Sequence, residues 1–155
     1  MRNTGPGPEA SVPVRFAKKE VDEIDPVRLS EPELTEDDRA ELGEGVARFN
    51  DGRYWDAHES WEKVWQRRPE ESRIFFQGII QLAAALHLFT VKRRFQGGMR
   101  NLDKADEKLR LFPPVFLRFD VTALRGVIQA ARGEASALGP DQLDRFSVVP
   151  RITLR

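Results

Sequence analysis

The sequence predicts an all-α protein, a compact bundle of about five antiparallel helices with an irregular N-terminal leader and an irregular C-terminal tail. Three features of the sequence support this prediction. Apolar residues in the middle of the chain recur every three or four positions, which places them on one face of a helix. Prolines and glycines interrupt that periodicity at short intervals, as expected for helices joined by short loops. No segment there alternates apolar and polar residues as a strand does.

The beginning of the chain differs in composition from the rest. Residues 1–33 contain five prolines and no sustained periodicity, so they are expected to form a flexible or surface-draped leader that adds little to the core. Thr35 and Asp38 form a capping pair for the first helix, which the turn residues Asn50, Asp51 and Gly52 end.

Four further helices are predicted from the same signals. The second covers residues 54–67 and stops before Pro69. The third covers residues 70–92 and is apolar almost all round, which indicates the central helix. The fourth begins after Gly97-Gly98 and ends before Pro113-Pro114, and the fifth covers residues 120–132. The predicted boundaries are a leader at 1–33, a helical domain at 34–135 and an irregular tail at 136–155.

The spacing of small and aromatic residues in the first two helices is similar to that of a tetratricopeptide repeat. The similarity covers about one repeat, whereas a solenoid needs about three or more. It therefore favours simple helical-hairpin packing over a repeat array.

The overall composition limits the classes of function. The chain has 25 basic and 25 acidic residues, so its net charge does not attract nucleic acid or an anionic membrane. It has no cysteine for a disulfide or a cysteine-ligated metal. The longest apolar run, residues 79–91, is shorter than the roughly 20 residues of a membrane span, and the N-terminus lacks the apolar stretch of a secretory signal. We expect a cytoplasmic protein that binds neither nucleic acid nor membrane.

The second helix has an unusual concentration of aromatic and ionisable residues. Residues 54–65 contain every tryptophan, the one tyrosine and His58. Glu62 lies one helical turn after His58, so the two side chains are expected to form a hydrogen bond that raises the pKa of His58. In the third helix, a hairpin turning near Arg68 would bring Gln77 or Gln81 within reach of His58. The predicted polar site comprises His58, Glu59, Glu62, Gln77 and Gln81.

This polar cluster has three interpretations. It is a buried, hydrogen-bonded group that sets helix packing, a metal site, or a site for another ligand. The pattern His-Glu-x-x-Glu lacks the second histidine of the zinc metalloprotease motif. We therefore expect no cofactor, with a divalent metal on His58 and Glu62 as the weaker alternative.

His87 and a cluster of arginines are two further candidate sites. The same hairpin would place His87 beside Asn50, about 12 Å along the axis from His58, too far to share one metal. Arg93, Arg94 and Arg100 lie close to the glycines that precede the fourth helix and form a weak anion-binding prediction, since cations and glycines also have structural roles at helix ends.

The residues also carry a family resemblance. The pattern Phe49-Asn50-x-Gly52-x-Tyr54-x-x-Ala57-His58-Glu59-x-Trp61-Glu62-x-x-Trp65, followed by Gln77-Gly78-Ile79-Ile80-Gln81-x-Ala83-Ala84-Ala85, resembles the signature of the domain of unknown function 309 family. The resemblance covers about residues 40–130. It implies a small, mostly prokaryotic, all-α protein and no particular reaction, and it places His58, Glu59, Glu62 and Gln81 in the family's polar signature.

Two functions therefore remain open at this level. The first is a protein-interaction or scaffold module with an unknown protein partner, in which the His/Glu/Gln cluster is structural. The alternative is a small enzyme or a ligand-binding or metal-binding protein that uses His58, Glu62 and Gln81 as a polar pocket. No catalytic residue is predicted, because Ser60 and Ser72 have no activating partner at a suitable spacing.

Overall fold

Five α-helices make up most of the computed structural model, which describes residues 21–155. The predicted all-α bundle is thereby confirmed. A single turn of π-helix, Leu88–Lys92, extends the third helix, and a two-stranded antiparallel hairpin joins the last two helices. The elements are α1 (Glu36–Asn50), α2 (Tyr54–Arg67), α3 (Ile74–His87), α4 (Phe95–Leu109), β1 (Val115–Phe116), β2 (Phe119–Asp120) and α5 (Val121–Leu138).

The third helix is the centre of the bundle. α2 packs on one side of α3 and α4 on the other, while α1 packs on α2 and α5 on α4. Ten of the 14 residues of α3 are buried, as expected for a central helix. The helix begins four residues later than predicted, because residues 68–73 form a loop that ends in a short 3-10 turn.

The helical run Glu71–Lys92 is long and apolar enough to cross a membrane by length and composition alone. In the fold, 61% of its most apolar window is buried against the protein itself. The central helix of a soluble bundle has the same composition, because it is also surrounded by apolar side chains.

A close approach of α1 and α2 depends on a glycine. The indole of Trp61 is fully buried, and its Nε1 donates a hydrogen bond to the carbonyl oxygen of Leu42 at 3.1 Å. The ring lies directly against Gly45, where a Cβ atom would come within 2.1 Å of Nε1. A side chain at position 45 would therefore force the two helices apart.

A buried carboxylate connects the start of α1 to the end of α2. Asp38 is 1% exposed and accepts hydrogen bonds from Arg67 at 2.7 and 2.9 Å and from Arg68 at 3.1 Å. Its backbone N–H donates to Thr35 Oγ1 at 3.0 Å, which confirms the predicted cap. Burial alone would raise the pKa of Asp38, but the hydrogen bonds from Arg67 and Thr35 outweigh it and hold the pKa below its ordinary value.

The described part of the leader, residues 21–33, lies on the surface of the bundle and contributes to its core. Ile24 is buried in the main hydrophobic cluster, and the Glu31 carboxylate accepts a hydrogen bond from the backbone N–H of Leu117 at 2.7 Å. Ile24 is therefore a core residue supplied by the leader, and the expectation that the leader adds little to the core stays a prediction. Residues 1–20, which the prediction also covered, lie outside the described residues.

The end of the chain is held to the bundle by backbone and side-chain bonds. The Asn50 side chain both donates to the carbonyl oxygen of Ile152, at 2.9 Å, and accepts from its N–H, at 2.7 Å. The N–H of Arg155 donates to the carbonyl oxygen of Arg118 at 2.7 Å. The last ten residues have no regular secondary structure, but α5 continues to Leu138, beyond its predicted end.

Replacement of Gly45 by alanine should test the contact with Trp61. We expect Gly45→Ala to lower the free energy of unfolding by about 2 kcal/mol or more, because the new methyl group overlaps a buried ring. Gly43→Ala is the matched control on the same helix. Nothing lies within 4 Å of a Cβ atom there, so alanine should raise the free energy of unfolding by about 0.5–1 kcal/mol. Equal values in urea unfolding would contradict the contact.

The Asp38 link should make the fold sensitive to acid. Because the folded pKa lies below the ordinary value of 3.8, the unfolded chain takes up this proton first as the pH falls. The stabilisation is complete above the ordinary pKa and is lost as the pH passes below it. Asp38→Asn should reduce the free energy of unfolding by about 2–3 kcal/mol at pH 7 and flatten its decline below pH ~4. Asp37→Asn, at the exposed neighbouring position, should leave both quantities unchanged.

Candidate functional site

A polar groove runs along the solvent-facing side of α3. Only Gln77, Gln81, Ala84 and His87 within α3 are partly exposed, and their spacing of four, three and three residues places them along one side of the helix. Since α2 and α4 both pack on α3, these side chains lie on the stripe of α3 between the two helices. We call this surface the α3 groove; it comprises the floor residues Gln77, Gln81, Ala84 and His87, the α2 residues Trp55, His58 and Glu62, and the α4 residue Lys108.

The two histidines meet at one tryptophan. The imidazole of His58 stacks on the Trp55 indole with ring centroids 4.3 Å apart and planes 11° apart. His87 contacts the same indole at a centroid distance of 5.1 Å. Trp55 is 45% exposed, the most accessible tryptophan of the chain. The groove therefore has an aromatic end at which the Trp55 indole is partly exposed.

This arrangement corrects the predicted position of His87. It does not pair with Asn50, whose side chain is engaged with Ile152. The hairpin turns through the whole loop 68–73 and not near Arg68, so α3 is displaced along α2 by about one helical turn relative to the prediction. The displacement brings His87 to Trp55.

The expected hydrogen bond between His58 and Glu62 is not formed. The imidazole lies flat against Trp55, and its Nδ1 is buried without a partner among the described residues. Burial lowers the pKa of His58, and the nearby carboxylates of Glu62 and Glu59 offset this only in part. The pKa is therefore lowered and not raised as predicted, and His58 is neutral at pH 7. Burial, Lys92 and His58 also lower the pKa of His87.

The two glutamines have different partners from those expected. Gln81 Oε1 accepts a hydrogen bond from Lys108 Nζ at 2.7 Å, across the contact between α3 and α4. Gln77 Oε1 is buried without a partner within residues 21–155. Gly78 allows α4 to come this close, since a Cβ atom there would lie 2.8 Å from the Leu109 side chain. Neither glutamine bonds to His58, so the members of the predicted cluster do not satisfy one another's hydrogen-bonding groups.

Sequence reasoning missed Lys108, which is 4% exposed. The signal was present, because Lys108 lies within the apolar face formed by Leu102, Ala105 and Leu109. No carboxylate of residues 21–155 lies within ion-pair distance of it. Burial is the main reason that the pKa of Lys108 falls to about 8; Glu107 opposes this effect and Lys104 adds to it.

The remaining predicted sites receive less support. Within the described part of the chain, no three histidine or acidic side chains converge on a possible metal position, so His58 and Glu62 have no third ligand.

Glu59 is exposed beside the groove. Arg93 donates to the carbonyl oxygen of Leu143 at 2.7 Å, whereas Arg94 and Arg100 line a cavity of about 550 Å³ at the start of α4.

Comparison with protein families supports the resemblance found in the sequence. Residues 42–102 match the family described as Domain of unknown function (DUF309). The matched segment contains the groove floor and the α2 side, while Lys108 lies beyond it. A search of curated proteins found no match.

The two glutamines should respond in opposite ways to replacement by leucine. Gln77→Leu removes a buried oxygen that has no partner, so we expect the free energy of unfolding to rise by about 1 kcal/mol. Gln81→Leu removes the one hydrogen-bond partner that residues 21–155 give the buried Lys108 ammonium, and should lower the free energy of unfolding by about 1–3 kcal/mol. Urea unfolding of both variants at pH 7 gives the comparison. A loss of stability in Gln77→Leu equal to that in Gln81→Leu would show that Gln77 is satisfied in solution.

Proposed function

We propose that this chain, which matches a domain of unknown function over residues 42–102, is a ligand-binding protein whose α3 groove holds a small polar molecule. Several buried side-chain atoms of the described residues have no hydrogen-bond partner, including Glu41 Oε2, Trp65 Nε1 and Ser72 Oγ outside the groove. The observation that carries the proposal is that two further ones, Nδ1 of His58 and Oε1 of Gln77, lie on this one surface. Both belong to side chains of the same groove. A bound molecule with complementary hydrogen-bonding groups would satisfy them.

The energetics favour binding over a purely structural role. A buried polar atom that lacks a hydrogen bond costs about 1–3 kcal/mol, and a structural cluster would be expected to avoid that cost. A binding site accepts it in the free state because the ligand supplies the missing bonds. The neutral state of His58 suits such a role, since its ring offers one donor and one acceptor.

The aromatic end of the groove supplies apolar contact area. Trp55 has an indole face that is partly exposed and is held in place by His58. Small-molecule sites commonly combine such a face with a few fixed polar groups. The ligand should therefore place a planar or apolar part on Trp55 and its polar groups along α3.

A protein-interaction or scaffold module is the second candidate function. The exposed Trp55 favours it, because tryptophan is enriched among residues that dominate protein–protein binding. A partner protein would cover Trp55 without having to reach Gln77 on the groove floor. The two candidates therefore differ in their dependence on Gln77.

Occupancy of the groove can be measured through Trp55, because Trp61 and Trp65 are buried. A library of small carboxylic acids, amines, amides and nucleosides would be screened for protection of tryptophan fluorescence against acrylamide and for a rise in melting temperature. We expect at least one compound to produce both effects in the wild type. Both should be lost in Gln77→Leu and retained in Gly43→Ala, a control on α1.

Three outcomes separate the candidates. Hits that bind Gln77→Leu as well as the wild type would place the ligand elsewhere and overturn the proposal. A purified partner protein would favour the interaction module if it protects Trp55 from acrylamide and binds the Gln77→Leu variant normally. Its binding should then be lost when Trp55 is replaced by alanine. Absence of any compound that protects Trp55 would likewise contradict a small-molecule site.

A further inference from the structure

We propose that Lys108 is the anion-binding group of the α3 groove and that the ligand carries a carboxylate. This inference rests on the proposed function, because it assigns a chemical class to the ligand of the same groove. It adds a charged contact from α4, a helix from which the sequence predicted no residue of the polar site.

The geometry leaves the Lys108 ammonium incompletely bonded. An ammonium group has three N–H donors, and one of them is used by Gln81 Oε1 at 2.7 Å. No carboxylate within residues 21–155 pairs with it. The other buried charged side chain among the described residues, Asp38, is paired with two arginines. Lys108 is thus the buried charge in the described structure that has no counter-ion.

A carboxylate matches the groups around Lys108. Its two oxygens can accept from the remaining ammonium donors and from the amide nitrogen of Gln81, whose oxygen already faces Lys108. One positive charge is neutralised by one negative charge, whereas a phosphate dianion would leave excess charge in a partly buried site.

The charges of the groove orient such a ligand. Glu59 and Glu62 are close enough to His58 to act on its pKa, so the α2 side repels an anion. On the α4 side the charged groups that act on Lys108 are Glu107 and Lys104, whose charges have opposite signs, so Lys108 itself supplies the positive charge. The carboxylate should therefore lie against α4, with the rest of the molecule directed towards Trp55.

Binding of a carboxylate should be coupled to the protonation of Lys108. With a pKa of about 8, Lys108 is mostly charged at pH 7 and becomes neutral in mildly alkaline solution. An anion that binds the charged form must, by linkage, increase the proton affinity of Lys108. A lysine with only a structural role would not respond in this way.

The experiment follows the side-chain NMR resonances of Lys108 in the full chain as the pH is raised, with Lys108→Met used for assignment. Sodium acetate and sodium benzoate are the carboxylate probes, and sodium chloride and inorganic phosphate at equal ionic strength are the comparisons. We expect each carboxylate to increase the proton affinity of Lys108 about tenfold at tenfold its dissociation constant. Chloride should have no effect, and phosphate a smaller one. Lys63→Met, a change at an exposed lysine of α2 that faces Glu41 of α1, should leave the carboxylate effect in place.

The outcomes separate this inference from the proposed function. If neither carboxylate changes the titration of Lys108 while a library compound still protects Trp55, the anion assignment is wrong and the groove remains a binding site. If no compound protects Trp55 and Lys108 does not respond, both proposals fail. A phosphate effect larger than that of either carboxylate would overturn the choice of ligand. The measurement is made on the wild type, so it does not depend on whether Lys108→Met is stable.

Discussion

The packing of α2 and α4 on opposite sides of α3 determines where the polar groups of this protein lie. Ten residues of α3 are buried, which leaves one stripe of the helix open to solvent. Polar side chains on that stripe, such as Gln77 and Gln81, consequently lie between the two neighbouring helices. Their hydrogen bonds then depend on what those helices present, and α4 presents a lysine where α2 presents a histidine and a tryptophan.

The sequence predicted the helices well and their alignment poorly. Pro69 marked the loop after α2, whereas Gly97 and Gly98, which were predicted to precede the fourth helix, lie inside α4. The number of residues used in a turn decides how two helices face each other. The loop 68–73 moved α3 by about one turn, which brought His87 to Trp55 instead of Asn50. The hairpin after α4 was also missed, because Leu117 and Arg118 adopt the left-handed conformation that such turns usually assign to glycine or asparagine.

Two polar residues of the signature show why a pattern of residue types does not define roles. Asn50 and Gln81 are both polar and both lie next to apolar positions in the sequence. The Asn50 side chain reproduces the paired bonds of a strand by binding the N–H and the carbonyl oxygen of Ile152. Its contact partner is 102 residues away, and no local spacing indicates such a contact. Gln81, in contrast, binds a charged side chain and faces the groove.

The signature residues therefore divide into those that set distances between helices and those that line the groove. Gly78 and Trp61 belong to the first group, since one admits α4 and the other fits against Gly45. His58 and Gln81 belong to the second. Because the family match ends at residue 102, it includes the frame and the floor of the groove but not Lys108. On the proposal that Lys108 binds the carboxylate of a ligand, the shape of the groove comes from the matched segment, whereas its positive charge comes from the part of α4 that follows it.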